Sequence, residues 1–172
     1  DERKATLLWL DHLLRAEHDT RGQQRSVVSY DHLLADWRGT IARIGVTPLK
    51  GTRLLHPAEV ELTSLGIPGN RRFHLVSERG ELFSCGDFGP LMRVGAAYDA
   101  ATEVLLLDLP DGTSVSSGPG DLGASHVTDF YGRPVPGRCV EGPAAEAISA
   151  YVGRPLRLVR ADAEGDGPDE HR

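Results

Sequence analysis

The chain has 172 residues, of which 40% are hydrophobic, so it is long enough for one domain with a core or for a small domain with an appendage. Nineteen basic against twenty-five acidic residues give a net charge of -6, which argues against a general nucleic-acid binder and against a polybasic membrane-surface protein. No apolar run approaches the roughly 18 residues of a membrane span. Any binding site for an anion must therefore be local.

The opening of the chain has the pattern of a helix, a strand and a second helix. Apolar residues recur at helical spacing from Ala5 to Glu17, and RSVVSY (25–30) then favours a short strand. Asp31 suits the N-cap of the second helix, in which Leu33 and Trp37 follow the spacing of one helix face. We interpret residues 1–39 as a helix-strand-helix extension.

After residue 39 the hydrophobic period changes to about two, and glycine and proline mark the turns. Strands are predicted in TIARIGVT (40–47), AEVELTSL (58–65), RRFHLVSE (71–78), TEVLLLDL (102–109) and PLRLVRA (155–161). One late helix is predicted in EGPAAEAISAYVG, with Pro143 in its first turn and Gly153 at its C-terminal cap. The pattern predicts a mainly β (α+β) fold, a small barrel with one late helix over 40–161, followed by an acidic tail or linker at 162–172.

Paired positive charge follows the loop GIPGN (66–70). Arg71 and Arg72 begin the third predicted strand, and Lys50 follows the end of the first. A lysine is a mobile point charge and an arginine is a planar fork that binds phosphate oxygens bidentately, so together they suit a phosphate group. The alternative is that Lys50 is a solvated lysine and that the arginines are a surface residue and an ion-pair partner for Glu59 or Glu61.

Several segments, in this order, resemble the N-terminal β-barrel domain of the MOSC (molybdenum cofactor sulfurase C-terminal) family: VTPLKG, AEVELTSLGIPGNRRFHLV, FGPLMRVGAAYD, LPDGT, DFYGRPVPGR and EAISAYVGRPLRLVR. The resemblance covers residues 41–161. The family's Y-P-V-K-S and G-D-R-R-F segments are here TPLKG and GNRRF, so Asn70 replaces the aspartate, and Thr47 and Gly51 replace the tyrosine and the serine.

The resemblance implies a molybdenum cofactor (molybdopterin), a small-molecule partner whose phosphate would be bound by Lys50, Gly51, Arg71 and Arg72. For the resemblance to hold, Lys50 and the two arginines must converge on one concave patch. In the family, the cysteine that ligates molybdenum or carries sulfur belongs to a separate MOSC catalytic domain, which we expect to be a partner missing from this chain. Cys85 and Cys139 do not lie in that context, and no catalytic or metal-ligating residue is assigned.

The expected function is that of a cofactor-associated module of a MOSC-type oxidoreductase or sulfur carrier, inactive alone and without nucleic-acid or membrane partners. The alternative is a non-catalytic interaction or vestigial module, or a truncated fusion with a sulfotransferase-like protein. The second part of that alternative rests on residues 5–44, which resemble the C-terminal part of a bacterial sulfotransferase-like protein in their Y-D-x-L-L-A-D-W type sequence.

The histidines and cysteines add little to this interpretation. The seven histidines form no HxH or HExxH motif, and only His56 and His126 are loop candidates for a functional role. The two cysteines lie far apart, without CxxC or metal-ligand spacing, which predicts free thiols in the cytoplasm.

Overall fold

The structure is a computed structural model that describes residues 44–163. The predicted helix-strand-helix extension, its boundary at residue 39, the sulfotransferase-like similarity and nearly all of the acidic tail lie outside the described residues. The described part is mainly β, with two antiparallel sheets and one late α-helix, as the sequence predicts. Its strands are β1 (Phe73–Ser77), β2 (Leu82–Phe83), β3 (Gly95–Asp99), β4 (Val104–Asp108), β5 (Ser114–Ser117), β6 (Leu122–Phe130), β7 (Arg133–Val140) and β8 (Leu156–Ala161).

The strands form a larger and a smaller antiparallel sheet. The larger sheet has five strands in the order β2-β1-β8-β7-β6, and the smaller has three in the order β3-β4-β5. In the larger sheet His74 of β1 lies opposite Val159 of β8, which in turn lies opposite Cys139 of β7. Because directly opposed residues point to the same face of a sheet, this register places the three side chains on one face.

The α-helix, α1 (Pro143–Val152), contacts β4 and β5 of the smaller sheet and β8 of the larger one. Pro143 stands in its first turn, and Gly153 ends it in the left-handed conformation at φ 79, as the sequence predicts. Ile148 is fully buried in α1 and belongs to the same core cluster as Leu75 and Leu107. The main core therefore joins the helix to one face of each sheet.

The larger sheet curls, so that side chains on its opposite face contact one another. β1 and β6 are not neighbours in the hydrogen-bonded strand order. Nevertheless, Nε2 of His74 on β1 lies 2.8 Å from Oγ1 of Thr128 on β6, and the His74 ring packs edge-on against Phe130 with 4.9 Å between centroids. The sheet must curl for these side chains to meet, which gives the fold its barrel-like character. Phe130, Val135 and Ala161 form a second, small core within the curl.

The predicted strands at 71–78, 102–109 and 155–161 are confirmed as β1, β4 and β8. The predicted strand at 58–65 is wrong, because this segment is almost entirely exposed and makes only an isolated bridge between Thr63 and Gly66. The Thr63 hydroxyl donates to the Gly66 carbonyl and accepts from the Leu65 amide, a local bonding pattern that competes with a strand ladder. Of the predicted strand at 40–47, the described residues 44–47 form only a bridge from Val46 to Leu55.

Candidate anion-binding site

Lys50 lies at the end of a tight turn that precedes the larger sheet. Within it the Thr52 hydroxyl donates to the Leu49 carbonyl at 2.7 Å, and the Thr47 hydroxyl lies 2.7 Å from that of Thr52. Thr47, Leu49 and Thr52 are all buried, so these bonds satisfy polar groups that water does not reach. The turn is thereby fixed, and with it the start of the Lys50 side chain.

Backbone hydrogen bonds join this turn to the segment that carries the two arginines. The Lys50 amide donates to the Phe73 carbonyl at 3.0 Å, and the Arg71 amide donates to the Thr47 carbonyl at 2.7 Å. The side-chain oxygen of Asn70 accepts from the Thr47 amide at 3.0 Å. Asn70 therefore anchors the two segments to each other, so the asparagine in place of the family's aspartate has a structural function here.

The positive charge of Arg71 acts on the Lys50 ammonium. Burial lowers the pKa of the half-buried Lys50 ammonium, and the charge of Arg71 lowers it further, whereas Tyr131 and Cys85 raise it. Arg71 has a φ of 53, a left-handed conformation that is uncommon for residues other than glycine. The backbone at Arg71 therefore departs from the regular strand that begins at Phe73.

Gly51 is required by the packing of the protein itself. Its φ is +85, and a Cβ atom at this position would lie 2.8 Å from the backbone nitrogen of Cys85. The chain thus approaches the Ser84–Cys85 backbone too closely for any side chain. Binding of cofactor by Gly51 stays a prediction.

Arg72 is attached to the end of β8. Its Nη2 donates to the Asp162 carbonyl at 3.2 Å, and its own carbonyl accepts from the Ala161 amide at 3.0 Å. The structure thus brings Lys50 and Arg71 together and links Arg72 to the far end of the last strand. The convergence of all three on one concave patch stays a prediction.

His74 lies beside this charge pair, and the sequence analysis does not single it out. It is only 1% exposed, and its pKa falls from 6.5 to about 4 because of burial first and then the positive charges of His126 and Lys50. Lys50 lies in the turn that follows the buried Leu49, and its backbone amide donates to the carbonyl of Phe73, the residue before His74. No local sequence signal marks this position, because the neighbours of His74 come from distant strands.

His126 lies in β6 and not in a loop as predicted, whereas His56 lies outside the strands. The segment LGASHVTDF lacks regular apolar alternation, so the sequence pattern does not reveal the strand. Burial and the charge of Arg157 lower the pKa of His126. The ring of His56 is held separately, with Nδ1 2.9 Å from the Ile44 carbonyl oxygen.

The remaining chemistry-bearing groups of the described residues are dispersed. Between residues 44 and 163 no three histidine, cysteine or acidic side chains are grouped so that they could hold a metal ion. Cys85 and Cys139 are both free and partly buried. In this same range no helix has the length and apolar character needed to cross a membrane.

No protein-family model matches the chain, and no curated protein matches it. A similar solved structure is the solution structure of a protein from Bordetella bronchiseptica, with 14% sequence identity and a TM-score of 0.44. The similarity covers 61% of this chain and 89% of that one. The function of the site is therefore argued from its own residues.

Proposed function

We propose that this chain is the phosphate-binding module of a MOSC-type molybdenum-cofactor protein. The observation that carries the proposal is that backbone hydrogen bonds join segments 47–50 and 70–73, which contain Lys50 and Arg71, and that the charge of Arg71 contributes to the lowered pKa of Lys50. Two like charges held together on a partly buried surface favour an anion that interacts with both. A guanidinium fork beside a lysine is well suited to the oxygens of a phosphate monoester.

The described residues fit the phosphate end of such a cofactor. Lys50 and Arg71 would bind the phosphate oxygens, and Arg72 would add a third positive charge from the start of β1. The cofactor, when bound, supplies the redox or sulfur-transfer chemistry of its metal. We assign the metal ligand to a partner MOSC domain, so the role of this chain is to hold and orient the anionic end. The free thiols of Cys85 and Cys139 are in keeping with a cytoplasmic location.

Titration of the full chain with sulfate, followed by amide NMR shifts, tests the anion site directly. We expect saturable shifts at residues 47–51 and 70–74. Lys50→Ala and Arg71→Ala should each weaken binding by about tenfold or more, since a hydrogen bond to a charged group contributes about 1.5 to 3 kcal/mol. Arg93→Ala is the matched control, because it removes the same charge from an exposed position in the short 3-10 helix Gly89–Arg93.

Two results would count against the proposal that this chain is a phosphate-binding module. If the folded chain binds no sulfate, the charge pair has no anion function and the non-catalytic interaction module becomes the better interpretation. The second test is metal analysis of the chain purified from a host that makes the cofactor. We expect molybdenum well below one atom per chain, and stoichiometric molybdenum would show that the metal ligands were assigned to the wrong domain.

A further inference from the structure

Two buried imidazole nitrogens lie inside the curl of the larger sheet. Among residues 44–163, Nδ1 of His74 and Nε2 of His126 are buried atoms without a hydrogen-bond partner. The other nitrogen of His74, Nε2, lies 2.8 Å from the Thr128 hydroxyl, so the orientation of the ring is fixed. Buried polar atoms in folded proteins nearly always have a partner, and an exception requires an explanation such as an ordered water, a bound ligand or an ion.

These nitrogens are close to the candidate anion site. The charges of His126 and Lys50 both lower the pKa of His74. Lys50 is joined to β1 through the Phe73 carbonyl, and His126 comes from β6 across the curl. The backbone of β1 therefore links Lys50 to the histidines of the curl.

The groups that face the histidines are positive or neutral. Arg157 of β8 acts on His126, and Lys50 acts on His74. By register, Cys139 of β7 points to the same face as His74. Among the described residues, no carboxylate contributes to the pKa shift of either imidazole. A metal cation would be repelled by these charges, whereas an oxyanion would be attracted.

We propose that the anion site at Lys50 extends to His74 and His126, and that an oxyanion binds there together with a proton taken up by this histidine pair. The inference rests on the proposed anion-binding function and adds its regulation by pH. A bound oxyanion favours the imidazolium form, because the opposite charge offsets the repulsion from Lys50 and Arg157. Proton uptake and anion binding then strengthen each other by the same factor.

Sulfate is the appropriate probe, because its charge stays constant over the range in which histidine titrates, whereas that of phosphate changes. We expect the full chain to bind sulfate more tightly at about pH 5.5 than at about pH 8, with a gain that approaches about tenfold only below the pKa of the free imidazole, if the anion raises that pKa by about one unit. For His74, whose pKa is about 4, the gain at about pH 5.5 is small, so a measurable effect at this pH would come from His126. Imidazole NMR of the unmodified protein should show that rise directly in His126 or His74. This second readout does not depend on any variant folding correctly.

Two histidine variants test whether His126 causes the pH dependence of sulfate binding. His126→Gln should remove most of the pH dependence of sulfate binding, because glutamine takes up no proton in this pH range. His56→Gln is the matched control and should keep the full pH dependence, because that ring is held elsewhere by the Ile44 carbonyl.

The outcomes separate the two proposals. Sulfate binding that is independent of pH would overturn the histidine coupling and leave the anion site intact. Persistence of the pH dependence in His126→Gln, with no change in either imidazole pKa, would overturn it as well. Absence of sulfate binding at every pH would overturn both proposals.

Discussion

At the scale of single residues, Gly51 and Gly80 form a natural pair for comparison. Both have a left-handed backbone, with φ values of +85 and +83. A Cβ at Gly51 would meet the Cys85 nitrogen at 2.8 Å, whereas a Cβ at Gly80 would meet nothing within 4 Å. The two positions therefore share the conformational cost of a side chain but differ in the steric cost.

Alanine substitutions should separate these costs. We expect Gly80→Ala to lower the free energy of unfolding by about 1 kcal/mol, from the left-handed backbone alone. Gly51→Ala should cost at least about 1 kcal/mol more, because the backbone at Cys85 cannot move as a flexible side chain would. Urea unfolding of the two variants and the parent measures both values, and equal losses would contradict the close approach at Gly51.

The buried histidine predicts a loss of stability in weak acid. The pKa of His74 is 6.5 in the unfolded chain and about 4 in the fold, so between these values the unfolded state binds more protons. The contribution of neutral His74 to the free energy of unfolding is thus fully present above pH 6.5 and is lost as the pH falls towards 4. The full loss is about 3 kcal/mol, from a shift of roughly two and a half pH units.

Urea unfolding in steps from pH 7 to about pH 4.5 tests this, and histidine variants separate the contribution of His74 from that of the carboxylates, which begin to titrate at the acid end of this range. The lowered pKa values of Asp99 and Asp111 matter only further into acid, below the ordinary value of 3.8. His74→Gln should reduce the slope between pH 6.5 and 4.5 whatever its absolute stability, and it should leave the contribution of His126, whose pKa is also lowered. His56→Gln should leave the slope unchanged. A flat profile in the parent protein would show that His74 titrates normally.

At the scale of elements, α1 depends on one face. Ala144 and Ile148, four residues apart, are fully buried, and Ala150 is exposed. Ile148→Ala should lower the free energy of unfolding by about 2 to 5 kcal/mol, because it leaves a cavity where the helix meets β8 and the smaller sheet. Ala150→Gln is the control on the same helix and should cost less than about 1 kcal/mol. Comparable losses in urea unfolding would mean that the helix does not pack by this face.

The sequence predicts correctly the elements that have a clear local pattern, either alternating apolar residues or residues typical of helix ends. β4 contains the alternating burial of Leu105 and Leu107, and α1 has its proline and glycine at the two ends. β7 is not predictable in this way because RPVPGRCV contains two prolines, which the sheet tolerates because the β8 ladder begins only at Gly137. The strand predicted at 58–65 is wrong because no neighbouring strand pairs with its alternating residues.

The same distinction applies to the candidate site. Lys50 and Arg71 are associated from the sequence through paired basic residues near glycine-containing loops and through a family resemblance that stays a prediction. His74 and His126 could not, since they meet only through the curl that brings β1 and β6 together. Local pattern predicts a residue's environment only when its neighbours in space are also its neighbours in sequence.

At the scale of the whole molecule, protection of the backbone is distributed unevenly. β1 and β8 lie inside the larger sheet and have ladders on both sides, whereas residues 53–65 are almost entirely exposed and make only isolated bridges. We expect amide hydrogen exchange to be slowest in β1 and β8 and fastest in 53–65. Amide exchange rates measured by NMR test this order. Slow exchange throughout 58–65 would indicate that the strand predicted from the sequence forms after all.

The contact between His74 and Thr128 also bears on the order in which the protein folds. These residues are 54 positions apart, whereas the β3-β4-β5 meander and the β6-β7 hairpin join segments that are close in sequence. Short loops close at a lower entropic cost, so the hairpins should form early and the curl should close late. Substitutions at Thr128 should consequently accelerate unfolding more than they slow folding. A newly synthesised chain would then acquire its histidine pair only in the last step, after most of its secondary structure is in place.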